Sequence, residues 1–185
     1  TIVPDSESQD GSRFGSSVSI SEDGATLAVG SPKFDNDSTT SDDGAVFIFR
    51  LIGETFYEQE KLRPLSIDTE KFGTVVKLSD NGQDLFVGAP FYTGTLPNQG
   101  CVYHYKLNQT DFIGDGSTTS FNTDFDIDQS VKVGVVDGDA NVVQNNDGST
   151  VPYFILSGST GIEFATAPDS GSRISIYQYG LVEQL

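Results

Sequence analysis

Apolar and β-branched residues fall in four short runs early in the chain, Phe14 to Ile20, Thr26 to Gly30, Ala45 to Leu51 and Phe56 to Leu62. Polar breaks separate them, among them Asp23-Gly24, Gly30-Ser31-Pro32 and Asp42-Asp43-Gly44, which is how strands end and a chain turns. The pattern predicts a small antiparallel sheet, and it occurs twice. Phe14-Gly15 and Gly30-Ser31-Pro32 return as Phe72-Gly73 and Gly88-Ala89-Pro90, at a constant offset of 58 residues. The turn between them returns too, Ser21-Glu22-Asp23-Gly24 against Ser79-Asp80-Asn81-Gly82. The third run, Gly44-Ala45-Val46-Phe47-Ile48-Phe49, aligns with Gly100-Cys101-Val102-Tyr103-His104-Tyr105 at an offset of 56, so the loop before it is two residues shorter in the second copy. A duplicated unit of short strands points to a stacked or radially repeated all-β architecture.

From Asp111 onward neither Phe-Gly nor Gly-Ala-Pro recurs. Short strands between Gly and Asp turns, as in Phe112-Ile113-Gly114-Asp115-Gly116, Val131 to Gly138 and Ile162 to Tyr177, predict an independent β-sandwich of about 70 residues. The expected division is a repeat region over 1–107, with units of about 10–67 and 68–107, followed by a small β-sandwich over 108–185.

The repeated elements resemble the FG-GAP repeat, the blade unit of the integrin α-subunit β-propeller and of many secreted bacterial and viral proteins. Glu58-Gln59-Glu60-Lys61-Leu62 is similar to the end of such a blade. The resemblance implies two antiparallel propeller blades within residues 1–107. A propeller closes with about four or more blades, and the chain contains no methionine. The expectation is therefore an excerpt, its propeller completed by further blades of a longer parent or by neighbouring chains. Loops of such propellers gather on one face, which directs ligand contacts to Lys33–Asp43 and Phe91–Gln99, with Phe34, Phe91 and Tyr92 as candidate contact residues. Calcium-binding members carry an Asp-rich loop between Phe-Gly and Gly-Ala-Pro. Here the turns Ser21–Gly24 and Ser79–Gly82 suit a hairpin but not a cage of about six or more oxygen ligands, so those sites are not carried over. Further on, Gly114-Asp115-Gly116-Ser117-Thr118-Thr119, Val136-Asp137-Gly138, Phe164-Ala165-Thr166-Ala167-Pro168 with Gly171, and Ile174-Ser175-Ile176 are similar to a small module of bacteriophage tail-fibre and other virion structural proteins. A generic fibronectin-like or adhesin sandwich is the other reading.

Composition narrows the partners. A net charge of −17 with only 10 Lys and Arg argues against nucleic acid and anionic membranes, since neutralising phosphates takes clustered cations. No apolar run approaches the length of a membrane span. The single cysteine excludes an internal disulfide, and Cys101, aligned with Ala45, is expected to pack as a thiol in the sheet.

Candidate chemistry is sparse. His104 is the only histidine and takes the place of Ile48, so it is expected as a sheet residue, with no second histidine for a triad or a zinc site. The acidic residues sit mainly in turns, which disfavours paired-carboxylate hydrolysis of glycosides. Asp35, Asp37, Asp42 and Asp43, in the long loop, could offer oxygens to a hard cation such as calcium or form a solvated turn cluster. Asp124, Asp126 and Asp128 have the period of one strand face, where like charges repel unless water, a cation or a basic partner offsets them. No cofactor other than calcium is a candidate. The functional expectation is a non-enzymatic structural and adhesive segment of a bacteriophage virion, in a tail fibre or related appendage. Its partners would be other tail proteins or copies of itself, a trimer in a fibre, and a host-surface glycan or protein. A bacterial cell-surface or secreted adhesin and an accessory binding domain of a secreted hydrolase are the alternatives.

Overall fold

The computed structural model describes residues 1–4, 10–35, 42–52, 54–64, 70–125, 132–136, 142–144, 153–155 and 160–185. Among these the chain is all-β, with thirteen strands and no helix: β1 (Ser17–Ile20), β2 (Thr26–Ser31), β3 (Ala45–Ile52), β4 (Thr55–Leu62), β5 (Val75–Leu78), β6 (Asp84–Ala89), β7 (Cys101–Ile113), β8 (Ser120–Asn122), β9 (Lys132–Val136), β10 (Val142–Gln144), β11 (Tyr153–Ile155), β12 (Gly161–Phe164) and β13 (Arg173–Gln184). Two compact units divide it, residues 1–106 with 181–185, and residues 107–180.

The first unit holds two antiparallel sheets. One has the order β1-β2-β3-β4, with a register shift between Ile48 and Phe49 where β3 pairs with β4. The other has the order β5-β6-β7, and the end of β13 lies on the free edge of β7, where Val102 and Leu185 exchange N–H to carbonyl hydrogen bonds of 3.2 and 2.8 Å. The expected strand at Phe14 begins only at Ser17. Arg13 takes a left-handed backbone, φ 58°, and the Ser16 N–H donates to its carbonyl at 3.1 Å, so the residues around Phe14-Gly15 form a turn. The second copy repeats it at Lys71, φ 52°, with Thr74 N–H on the Lys71 carbonyl at 3.2 Å.

The duplication extends to individual hydrogen bonds. Asp23 accepts from the Ser21 hydroxyl at 2.6 Å and the Ala25 N–H at 2.9 Å, and Asn81 accepts from the Ser79 hydroxyl at 2.7 Å and the Gln83 N–H at 3.1 Å. These turns close on their own side chains, as short Asx-type turns do. Each Phe-Gly phenyl stands edge-on to two rings of the third strand. Phe14 meets Phe47 and Phe49 at 5.4 and 6.1 Å, and Phe72 meets Tyr103 and Tyr105 at 5.1 and 6.2 Å. Such edge-to-face pairs add about 0.5–1.5 kcal/mol each beyond the area they bury.

Glycines set how closely the two sheets approach. A Cβ on Gly30 would lie 2.0 Å from the Gly73 carbonyl oxygen, and one on Gly44, whose φ is +90°, would lie 2.1 Å from that of Phe72. The Ser17 hydroxyl donates to the Gly73 carbonyl at 2.8 Å and the Leu78 N–H donates to the Ser19 hydroxyl at 2.9 Å, tying one sheet to the next.

The second unit is a sandwich. The sheet β11-β12-β8 supplies Phe121, Ile162 and Phe164, the strands β9 and β13 supply Val133, Ile174 and Ile176, and these six form one buried core. Asp115 closes the turn before β8 by accepting from the Ser117 and Thr118 N–H groups and the Thr118 hydroxyl at 2.8, 2.6 and 2.7 Å.

Candidate functional site

Within the first unit the two Phe-Gly turns and the two Gly-X-Pro turns border one open cleft of about 290 Å³, lined by Arg13, Ser16, Pro32, Lys33, Lys71, Thr74, Pro90 and Phe91. Each residue has its counterpart across the cleft at the offset of 58: Arg13 with Lys71, Ser16 with Thr74, Pro32 with Pro90, and Lys33 with Phe91. Residues 2–49 match the FG-GAP repeat family. No curated protein matches the chain. The matched FG-GAP segment supplies Arg13, Ser16, Pro32 and Lys33 of the cleft, and the repeat copy supplies the rest.

Three cations, Arg13, Lys33 and Lys71, line the cleft in an acidic chain. The Lys33 ammonium lies 3.1 Å and the Lys71 ammonium 4.0 Å from one carboxylate oxygen of Asp42. Lys71 also stands 4.8 Å from the centroid of the Phe91 ring, a cation–π arrangement. Among the described residues no carboxylate lies within ion-pair distance of Arg13. Ser16 donates its hydroxyl proton to the Arg13 carbonyl at 2.8 Å and Thr74 does so to the Lys71 carbonyl at 2.7 Å. Both hydroxyl oxygens therefore offer lone pairs, not protons, to anything in the cleft.

The candidate contact residues separate. Phe91 is exposed and lines the cleft. Phe34 is buried, contrary to the expectation of a surface contact: it stands edge-on to Phe47 at 5.5 Å, beneath the Lys61 ammonium. Tyr92 is its counterpart at the offset of 58 and packs on Tyr103 at 6.3 Å, half-buried. The residue after each Gly-X-Pro turn lines the cleft, and the one after that props the third strand.

Of the candidate calcium ligands, Asp37 lies outside the described residues. Asp42 faces the two lysines, its N–H donates to the Asp35 carboxylate at 2.7 Å, and Asp43 is buried. Among the described residues no group of three or more His, Cys, Asp or Glu side chains is arranged to hold a metal ion. Asp124 accepts from the Thr110 hydroxyl at 2.8 Å, while Asp126 and Asp128 lie outside the described residues.

Further polar and titratable groups lie on or beside β7. Glu70, next in sequence to Lys71, is fully buried and accepts from the Tyr103 hydroxyl at 2.7 Å. Burial first, then the hydrogen bond and charge of Glu70, push the Tyr103 phenol far above the usual tyrosine range. Burial, with the Glu70 charge second, likewise raises the Cys101 thiol, which is half-buried where its counterpart Ala45 is fully buried. His104 stacks flat on Phe86 at 4.5 Å, with Nε2 2.8 Å from Asp84 and Nδ1 3.6 Å from Glu183.

Sequence reasoning missed Arg13, Ser16, Lys71 and Thr74. Applying the offset of 58 to the residues on either side of Phe-Gly would have found them.

Proposed function

We propose that the chain is a non-enzymatic structural and adhesive segment in which FG-GAP-type sheets stack as propeller blades and hold their corner loops toward a surface ligand. A bacteriophage tail fibre or related virion appendage is the setting we favour, on the similarity of residues 112–177 to virion modules. The observation that carries the structural part is a mismatch of burial at repeat-equivalent positions. Ala28 and Val46 are fully buried on the face that meets the second sheet, whereas their counterparts Phe86 and Val102 are 37% and 40% exposed. On the opposite faces Val76 and Leu78 are 6% and 1% exposed, but their counterparts Val18 and Ile20 are 58% and 53% exposed. Each outer face thus carries apolar residues where the inner interface buries them, which supports continued stacking on further sheets of the same kind.

Light scattering over a range of concentrations tests self-stacking. The expected result is mass growing with concentration for the chain, and a monomer of unchanged circular dichroism for Phe86→Glu with Val102→Glu. A chain monomeric throughout overturns assembly through copies of itself. For the adhesive part, the chain is passed over immobilised surface polysaccharides while their integrity is followed. Retention without cleavage supports it, and cleavage overturns the non-enzymatic reading.

A further inference from the structure

Three of the chain's 10 Lys and Arg residues converge on one cleft, although the chain as a whole carries a charge of −17. Asp42 lies within ion-pair distance of Lys33 and Lys71, whereas among the described residues no carboxylate lies within that distance of Arg13. Two of the three cations sit on left-handed backbone, a conformation that costs a residue with a Cβ about 1–2 kcal/mol and is found at sites held for a purpose. That the repeat keeps this conformation in both copies, with Arg at one and Lys at the other, argues that the charge is placed and not incidental.

The rest of the lining has its own chemistry. The exposed Phe91 and Pro90 rings offer apolar surface. The Ser16 and Thr74 oxygens, their protons already donated to backbone, accept from hydroxyl donors. Guanidinium and ammonium groups prefer a carboxylate or similar anion, the guanidinium in bidentate fashion. An apolar platform, acceptors for hydroxyl groups and a few cations match one sugar ring bearing one acid group. They do not match a run of phosphates, which needs a stripe of cations and would be repelled by the surrounding negative charge.

We propose that this cleft binds the carboxylate of an acidic sugar, a uronate unit of a surface polysaccharide. The inference rests on the adhesive reading above and deepens it. The uronate carboxylate pairs with Arg13 and Lys71, the C–H face of the ring lies on Phe91, and ring hydroxyls donate to Ser16 and Thr74.

The test is calorimetric titration of the whole chain with an oligosaccharide bearing a single uronate unit, its carboxyl-reduced neutral counterpart and a counterpart with one sulfate in place of the carboxylate. The variants are Arg13→Asn and Lys71→Asn, since Asn tolerates left-handed backbone, and Phe91→Ser, each checked for an unchanged melting curve. Expected are binding of the acid form alone and a loss of tenfold or more in each variant. Equal binding of the neutral form, or acid binding untouched by the variants, overturns the cleft assignment and leaves the adhesive function standing. Preferential binding of the sulfated form overturns the carboxylate assignment. Failure of all three, together with no retention on any immobilised polysaccharide, overturns the adhesive reading as well.

Discussion

Gly30 and Gly88 are the same residue in two copies of a repeat, yet they meet different surroundings. A Cβ at Gly30 runs into the next sheet's backbone, whereas one at Gly88 meets only Val75 at an ordinary 3.5 Å. Gly30→Ala should therefore cost about 2–4 kcal/mol, as overpacking against rigid backbone does. Gly88→Ala should change stability by less than about 1 kcal/mol, because a strand glycine gains from a side chain it can accommodate. Urea unfolding of the two variants checks both. Tyr103 makes stability depend on alkaline pH. Its phenol holds its proton more tightly folded than unfolded, so that stabilisation is complete below about pH 10 and declines as pH rises further. Tyr103→Phe should flatten this alkaline decline and cost about 1–3 kcal/mol at neutral pH, since the buried Glu70 loses a donor. Unfolding measured at neutral and alkaline pH tests both parts. On the acid side the second unit holds two lowered aspartates. The Thr118 N–H and hydroxyl and the Ser117 N–H hold the Asp115 carboxyl well below the usual range. For Asp111, burial pushes upward, but bonds from Ser175 and Gln109 and the Arg173 charge prevail, and its carboxyl too is lowered. Both stabilise above the ordinary aspartate range and lose that effect as pH falls through the depressed one. Asp115→Ala should move the acid-unfolding midpoint of the second unit to higher pH, read by circular dichroism.

At the scale of elements, the strands of the first copy and their return in the second were legible in the residues, because strand, Asx turn and Gly-X-Pro turn are all local chemistry. The turn at Phe14-Gly15 was only half so: Gly15 and Gly73 have the positive φ that glycine advertises, but Arg13 and Lys71, which open the two turns in the left-handed region, advertise nothing of the kind. Phe34 behaves likewise: its position beside a turn points to the surface, while its ring reaches Phe47. The cleft escaped notice because it forms only when two turns distant in sequence face each other. The pairing of Leu185 with Val102 has no local signature at all. Deleting residues 181–185 should strip the edge of β7 and abolish hydrogen-exchange protection of the Val102 amide, with little change at Val29 in the other sheet.

For the whole molecule, charge and apolar surface pull in opposite directions. A chain of −17 repels its copies, and salt screens that repulsion over about 10 Å at about 0.1 M. Self-stacking through Phe86 and Val102 should therefore strengthen as salt rises, whereas uronate binding at Arg13 and Lys71 should weaken. Light scattering and calorimetry across the same salt series should show the opposed trends, and parallel trends would contradict the separation of the two surfaces.

The strand at the edge of β7 carries one more consequence, for the order of events during synthesis. The sheet that starts at Val75 is not finished when β7 leaves the ribosome, because its last strand emerges only after the whole of residues 107–180. Until then β7 presents an open row of amide and carbonyl groups, the template on which nascent chains mispair. The second unit is also anchored through both its ends, so a single proteolytic nick inside it leaves each half attached to the first unit, one through the continuous chain and the other through the strand it contributes.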